Sequence, residues 1–426
     1  MIKGEKVRFD IHNILFSIYK LNQTLNNNSI KKIINRQKRE DIALLHSVTL
    51  NSMRYHLHCL KIIDKYIKKK IRDHEKILLI SAITQIVFLE FKEYAVINCS
   101  VEIAKKLKLY SGLINACLKN IAKDKIELKK ININFDNFPS WFQKETIYFS
   151  DNEKRQFLKY FHNEPNIHIV FKDENKLTNF EEKLIKTSSV SGFLLNKKDI
   201  TSKKSFARGD WWVQDFSSFF PLHNFLEKNK NKKFLDACAA PGGKSFQLLS
   251  KNLSVTLNDK SRVRIEILKS NLKRLKYNPQ VLNKDFTKFS EVEKYDCIII
   301  DAPCSSVGTI RKNPEILFKK KGPNFKELNY LQKNMLDKAS VLVNQNGCII
   351  YMACSFFKNE TVDQINTFLK KNSNFLLLNF KLIKENINYS KLIKENFMIT
   401  LPDNILNNSI DGYFAAYLKK KDNDSI

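Results

Sequence analysis

The sequence predicts two folds in one chain: an all-α domain over residues 1–130 and an α/β domain over residues 206–426 built on a parallel sheet, with a small mixed connector, residues 131–205, between them. Three observations carry this expectation. Up to about Leu128 apolar residues recur at helical spacing and no stretch alternates as a strand does. After residue 206 short β-rich runs alternate with helical stretches, the pattern of a parallel sheet with crossover helices. A length of 426 residues suits two or three domains at ~100–200 residues each.

In the first domain Ile11, Ile14, Leu15, Ile18 and Leu21 share one face of a helix, as do Leu60, Ile63 and Ile67. The polar cluster Asn26 to Ser29 and the region of Asp73 break the pattern, so about five to seven packed helices are expected. The most apolar stretch, Ile77 to Leu89, is 13 residues long and holds Ser81, Thr84 and Gln85. It reads as a buried helix, too short to span a bilayer. Basic clusters at Lys31, Lys32, Arg36, Lys38, Arg39 and at Lys65, Lys68, Lys69, Lys70, Arg72 are candidate phosphate contacts or, equally, solvated helix faces. The connector offers one clear apolar run, Ile167 to Phe171. In the last domain strands are expected at Lys233–Ala237, Ser254–Leu257, Tyr295–Ile300 and Gly347–Met352, and the tail Lys419–Ile426 reads as a frayed polar end.

Composition bounds what such a chain does. With 43% hydrophobic and 11% aromatic residues it can bury ordinary cores, while 10 Gly and 9 Pro exclude collagen-like and Pro/Gly-rich disordered chains. The net charge of +29, from 73 Lys+Arg against 44 Asp+Glu, suits a chain that meets a polyanion such as nucleic acid. Only 11 of these residues are Arg, and the wealth of Lys, Asn and Ile also fits an AT-rich genome, so charge alone does not separate an RNA binder from a generally basic protein. Lys3, Lys6 and Arg8 are followed by Asp10, His12 and Asn13 instead of an apolar run; no secretory signal is read, and a cytoplasmic, membrane-free monomer is expected. The eight cysteines (59, 99, 117, 238, 297, 304, 348 and 354) form no CxxC pair and no zinc spacing, so neither a disulfide framework nor a metal site is expected.

Ligands of a parallel sheet bind at the carboxyl ends of its strands, so the chemistry is sought just after each run. The first strand ends in Asp236-Ala237-Cys238-Ala239-Ala240-Pro241-Gly242-Gly243-Lys244-Ser245, a tight small-residue turn into a helix whose free N–H groups face a ligand. Gly243-Lys244-Ser245 matches the end of a phosphate-binding P-loop, but that motif needs a glycine where Cys238 stands. The next run ends in Asp259, placed to hold a ribose diol, and Asp285 follows the Gln280 to Asn283 run, placed to accept from an adenine amino group. In this order, behind a small-residue turn, the acidic residues point to a nucleoside-containing cofactor. The fourth strand delivers Asp301-Ala302-Pro303-Cys304-Ser305-Ser306 and the fifth Ala353-Cys354-Ser355, two cysteines at the mouth of one sheet. Carbon-5 of a cytosine is a poor nucleophile until a thiolate adds to C6; one such cysteine can attack and a second can assist release. Cys297 and Cys348 lie inside apolar runs and are expected to be inert.

The run Cys238 to Lys244, the block Asp301 to Ser306, the following Gly308-Thr309-Ile310-Arg311-Lys312-Asn313-Pro314 and Tyr351-Met352-Ala353-Cys354-Ser355 resemble the signature motifs of Nop2/Sun-type RNA cytosine-5 methyltransferases, and they stand in the family's order. Gly209 to Asp215 and Asp411-Gly412-Tyr413-Phe414 resemble further landmarks, so the resemblance spans residues 206–420. The amino-terminal helices, including Leu113 to Lys119, resemble a NusB-type RNA-binding domain, and the pairing resembles the bacterial RsmB (Sun/Fmu) subfamily acting on small-subunit ribosomal RNA. The resemblance implies a Rossmann-like domain that binds S-adenosylmethionine against Cys238, Ala239, Ala240, Pro241, Gly242, Gly243 and Lys244, with the ribose on Asp259, the adenine near Asp285 and the methionine end or target base near Asp301. It implies Cys354 as nucleophile and Cys304 as the residue that helps expel product. Family members most often carry Thr where this chain has Ala353, and Arg311, Lys312 and Asn313 are implied RNA contacts.

Competing classes fail on particular residues. A DNA cytosine-5 methyltransferase would have no second Cys-Ser at the fifth strand, and an amino methyltransferase would show a second proline and an aromatic after Asp301. A non-catalytic ribosome-assembly or antitermination factor using only the helices has no need of both Cys304 and Cys354.

Overall fold

The helices of the amino-terminal half start and stop where short-range chemistry allows. In this computed structural model, which describes residues 4–195, 200–226, 233–290, 293–380 and 389–422, α1 (Glu5–Leu21) ends on Asn22 in the left-handed region at φ 56°. Helix α2 (Asn28–Asn35) begins where the Asn27 side chain accepts from the Ser29 N–H, inside the predicted polar break. There follow α3 (Arg39–Arg54), α4 (His56–Tyr66), α5 (Asp73–Ile83), α6 (Glu93–Lys106) and α7 (Ser111–Lys123). Helix α5 starts at the predicted break, with the Glu75 carboxylate accepting from the Arg72 N–H at 2.9 Å. Every residue from Ile77 to Val87 is buried, so α5 and the π-helical turn Thr84–Phe88 that continues it run through the middle of the bundle. Leu21, expected on the apolar face of α1, is 57% exposed because the helix ends there.

The chain divides into two compact units, residues 1–163 with 310–322, and residues 164–309 with 323–426. The predicted connector is thus divided, residues 131–163 going with the helices and 164–205 with the sheets. Residues 196–199 of that connector, Lys3, and residues 423–426 of the predicted frayed tail lie outside the described residues, while Lys419 and Lys420 belong to the last strand.

The second unit opens with a four-stranded sheet of β1 (His168–Phe171), β2 (Leu184–Ser188), β3 (Ser191–Leu194) and β4 (Trp211–Val213) in the order β2-β3-β1-β4. Its main sheet, nine-stranded among the described residues, holds β5 (Lys233–Asp236), β6 (Ser254–Asn258), β7 (Gln280–Leu282), β8 (Tyr295–Asp301), β9 (Val343–Ala353), β10 (Phe375–Leu377), β11 (Ile393–Lys394), β12 (Phe397–Thr400) and β15 (Tyr413–Lys420). The order is β11-β12-β15-β9-β8-β5-β6-β7, with β10 also on β15; β13 (Asp403–Ile405) and β14 (Asn408–Ile410) form a separate hairpin. Strands β5 to β9 pair in parallel and β15 is antiparallel to β9. Each β8 side chain alternates between two cores: Cys297 and Ile299 join Phe234, Leu257 and Ile350 on one face, and Ile298 and Ile300 join Leu235, Ile349 and Tyr351 on the other. Strand order reverses on either side of β5, which opens a crevice at the carboxyl ends of β5, β6, β8 and β9.

Candidate active site

The turn after β5 is pinned to β6 by backbone and short side chains. The Ala239 N–H donates to the Asn258 carbonyl (2.8 Å), the Asn258 amide to the Ala237 carbonyl (3.1 Å), and the Ala240 N–H to Asp259 Oδ2 (3.2 Å). Ser245, in the helix Gly243–Leu249, donates to Asp236 Oδ2 at 2.7 Å. Burial pushes the Asp236 carboxyl up to about 6. Gly242 sits at φ 122°, where a Cβ would lie 1.9 Å from the Phe246 ring, so the turn tolerates only glycine.

Asp259 and Asp285 stand at the ends of β6 and β7. Asp259 accepts from the Ala240 and Ser261 N–H groups (3.2 and 2.9 Å), with Arg264 Nη1 at 3.4 Å. Asp285 caps the turn Phe286–Lys288 through Thr287 and pairs with Lys260 at 2.8 Å; that hydrogen bond first, then Thr287, holds its carboxyl below the usual range. Two carboxylates at adjacent strand ends offer acceptors to hydroxyl and amino hydrogens and would repel phosphates. This pair of acceptors fits the nucleoside half of S-adenosylmethionine.

Beside the turn lies a polar group that the sequence alone does not assemble. Lys244 Nζ is 2.6 Å from Asp301 Oδ2 and 3.1 Å from Ser218 Oγ, 5.4 Å from the centre of the Tyr413 ring; the Tyr413 hydroxyl donates to Asp301 Oδ1 at 3.0 Å. Lys244, placed on the cofactor turn by the sequence, thus also orients the carboxylate at the end of β8.

The two cysteines meet at the ends of neighbouring parallel strands. β8 and β9 are in register through Asp301 and Met352, and the Ala302 N–H donates to the Met352 carbonyl at 2.8 Å. The sulfurs of Cys304 and Cys354 lie 3.2 Å apart, both partly exposed, with the Ser306 hydroxyl 3.5 Å from Cys354 Sγ. With Cys304 as donor, its S–H holds the Cys354 thiol below the ordinary range and the same bond, then burial, pushes Cys304 well above it. Ser306 takes a left-handed φ of 62° and turns the chain back. Gly308 then donates its N–H to the Cys354 carbonyl (3.0 Å) and accepts from the Gly412 N–H (2.9 Å); a Cβ on Gly308 would stand 1.9 Å from the Gly412 oxygen. Two sequence landmarks far apart in the chain are therefore one backbone contact behind Cys354.

The remaining predicted residues fall as follows. Cys238 lies on the turn after β5, its thiol raised by burial first and then by Asp236. Cys297 and Cys348 are register partners inside the sheet core. Arg311 is not the RNA contact the resemblance implies: it is fully buried in the helical unit, where its carbonyl accepts from Arg54 Nε at 2.9 Å. Of the basic clusters, Arg36 is engaged by buried Asp10, and Arg72 pairs with Glu75 at 2.8 Å over the Tyr110 ring. Sequence reasoning missed Ser218 and, above all, Glu360, a fully buried carboxylate that accepts from Ser305 and Ser355. It stands six residues after Cys354, but nothing in that spacing separates it from a solvated glutamate. Among the described residues no cluster of His, Cys, Asp and Glu could hold a metal, and no helix is long and apolar enough to cross a membrane.

Known proteins resemble both halves of the chain. The family described as 16S rRNA methyltransferase RsmB/F matches residues 223–419, and the NusB family matches residues 7–123. Ribosomal RNA small subunit methyltransferase B of Shewanella oneidensis is 28% identical over 356 residues, 78% of this chain and 82% of its own; that of Enterobacter sp. is 32% identical over 209 residues, 46% of this chain and 49% of its own. In fold, the crystal structure of PH0851 covers 99% of both chains at a TM-score of 0.69 and 21% identity. NSun6 from Pyrococcus horikoshii, solved with SFG, covers 66% of this chain and 97% of its own at a TM-score of 0.53 and 17% identity. Methyltransferases of this family draw the methyl group from S-adenosylmethionine. Residues 223–419 are thus a domain of the RsmB/F methyltransferase family, preceded over residues 7–123 by a domain of the NusB family.

Proposed function

We propose that the protein transfers a methyl group from S-adenosylmethionine to C5 of a cytosine in small-subunit ribosomal RNA, through a covalent bond between Cys354 and C6 of the base. The observation that carries this reading is the Cys304–Cys354 pair at 3.2 Å beside the Lys244–Asp301 pair. Bound against residues 238–244, with its nucleoside toward Asp259 and Asp285, S-adenosylmethionine supplies a methyl group on a positively charged sulfur. The protein does the rest. Cys354, its thiolate favoured by the Cys304 S–H, adds to C6 and makes C5 nucleophilic. Asp301, held by Lys244 and Tyr413, orients the base or the methionine end. After transfer the C5 proton must leave before the Cys354–C6 bond breaks, and Cys304 assists that release. Relatives named small subunit methyltransferase B support ribosomal RNA as the substrate.

Bisulfite sequencing of small-subunit RNA incubated with the protein and S-adenosylmethionine tests the product, and denaturing gels test the two cysteines. Cys354→Ala is expected to be inactive and to form no adduct, whereas Cys304→Ala accumulates a protein–RNA complex that survives denaturation. The opposite pattern exchanges their roles. Retained activity in both variants would leave the pair as mere packing and sink the proposal.

A further inference from the structure

We propose that Glu360 is a positioning residue that fixes the separation of the two active-site sulfurs by tying together the loops that carry them. Parallel strands hold their backbones ~4.8 Å apart, but only while they are paired. Cys304 and Cys354 lie just beyond the paired ends of β8 and β9, where the ladder no longer holds the loops and the backbone bond from the Gly308 N–H to the Cys354 carbonyl ties them four residues after Cys304. Each cysteine is followed by a serine, and both serines point to one carboxylate. Glu360 Oε1 accepts from the Ser305 backbone N–H at 2.6 Å; Oε2 accepts from the Ser305 hydroxyl at 2.5 Å and from the Ser355 hydroxyl at 2.6 Å. The Gln332 amide, on the helix Phe325–Leu342, lies 3.5 Å from Oε1. The Glu360 backbone is itself anchored, its carbonyl accepting from the Tyr351 hydroxyl at 2.8 Å.

Burying a carboxylate among neutral donors costs free energy that an apolar side chain would avoid, so the arrangement is best explained by the geometry it enforces. The serines pass the restraint on: Ser305 Oγ also accepts from the Val307 N–H (3.3 Å) and Ser355 Oγ from the Phe357 N–H (3.2 Å), which sets the turn after each cysteine. The 3.2 Å sulfur contact is the consequence.

This inference rests on the reading of Cys354 and Cys304 as the reacting pair, and its test separates the two. Glu360→Ala and Glu360→Gln are compared with the unaltered protein for S-adenosylmethionine affinity, for kcat and KM with small-subunit RNA, and for the Cys304–Cys354 disulfide equilibrium against glutathione, read on the peptides by mass spectrometry. In Glu360→Ala kcat is expected to fall about a hundredfold, the cost of an ~1 Å misplacement, while cofactor affinity and KM stay within about threefold. The disulfide equilibrium should fall about tenfold as the loops separate. Glu360→Gln, which keeps an acceptor for the Ser305 N–H and donors for the serine oxygens, recovers part of both. If Glu360→Ala does not fold, Ser355→Ala, which removes one of the three short bonds, is expected to lower both quantities in its place. Unchanged kcat, or an unchanged disulfide equilibrium, in a variant that binds cofactor normally overturns the inference. Should the unaltered protein not methylate cytosine, the proposed function fails on its own and the disulfide equilibrium alone decides the role of Glu360.

Discussion

Two sulfurs 3.2 Å apart cannot titrate independently, and the pair gives the site its asymmetry. Because the Cys304 S–H holds Cys354 below the ordinary thiol range, its thiolate persists to lower pH than it would without that donor. Alkylation of Cys354 by iodoacetamide follows the thiolate, so its rate against pH should bend where that thiolate forms. Removing the donor in Cys304→Ala should move that bend to higher pH; an unmoved bend would show that Cys304 is not the donor. Asp259 invites a second measurement. Its carboxylate already orders the Ala240 and Ser261 N–H groups, so Asp259→Ala loses both the proposed diol acceptor and the shape of the turn. Calorimetry should show S-adenosylmethionine binding weakened by ~1.5–3 kcal/mol, and unchanged affinity would remove Asp259 from the site.

At the scale of elements, the loop after β8 is held by the meeting of two glycines. Gly308→Ala puts a methyl 1.9 Å from the Gly412 carbonyl oxygen and 3.0 Å from that of Cys354, all backbone that cannot rotate away. A loss of about 1–3 kcal/mol is expected, seen as a lower Tm, with activity falling further than cofactor affinity because the Cys354 turn is displaced. In the helices, burial lowers His12 to about 4 and His58 to about 3, in each case aided by a second histidine, His74 and His162 respectively. In the unfolded chain both titrate near 6.5, so between these values the unfolded state binds protons that the folded state refuses. Their stabilisation is whole above pH ~6.5 and is lost as pH falls toward about 4 and about 3, at up to ~1.4 kcal/mol per histidine per pH unit. Urea midpoints for the helical unit should therefore drop between neutral and mildly acid pH; equal midpoints would mean that these histidines protonate without unfolding.

Across the whole molecule, chain order and spatial order part at residues 310–322. This segment follows directly on Asp301–Thr309, the loop after β8, yet Phe318 packs against Tyr19 and His56 at ring-centre distances of 4.4 and 4.7 Å, and Gly322 lies against Trp141. A protein lacking residues 1–163 would leave Phe318 and the buried Arg311 uncovered. It is expected to melt earlier and to aggregate, and Phe318→Ser in that shortened chain should restore part of its solubility. RNA affinity is expected to rest on the exposed Lys31, Lys32, Lys38, Lys68, Lys69 and Lys70, since Arg36 and Arg72 serve the helices' own packing. Each phosphate-contacting lysine replaced by Ala should reduce the slope of log affinity against log salt by ~0.7–0.9. If replacing all six leaves the slope unchanged, these lysines do not supply the phosphate contacts.

The local pattern by itself determined the two fold classes, the helix breaks at Asn26 to Ser29 and near Asp73, the strands to within a residue of their observed ends at Asp236, Asn258 and Asp301, and the residues that follow them: Asp259, Asp285, Cys304 and Cys354. Each of these depends on neighbours a few positions away, through helical spacing, alternation, caps and turn chemistry. Tertiary structure decided what depends on residues that meet from distant parts of the chain. It brought Gly412 behind Gly308, drew Lys244 onto Asp301, took Arg311 out of reach of RNA and set Glu360 between Ser305 and Ser355. None of these pairings leaves a mark on the spacing of its own segment, because a buried glutamate and a solvated one, or a buried arginine and a free one, look alike until the core closes around them.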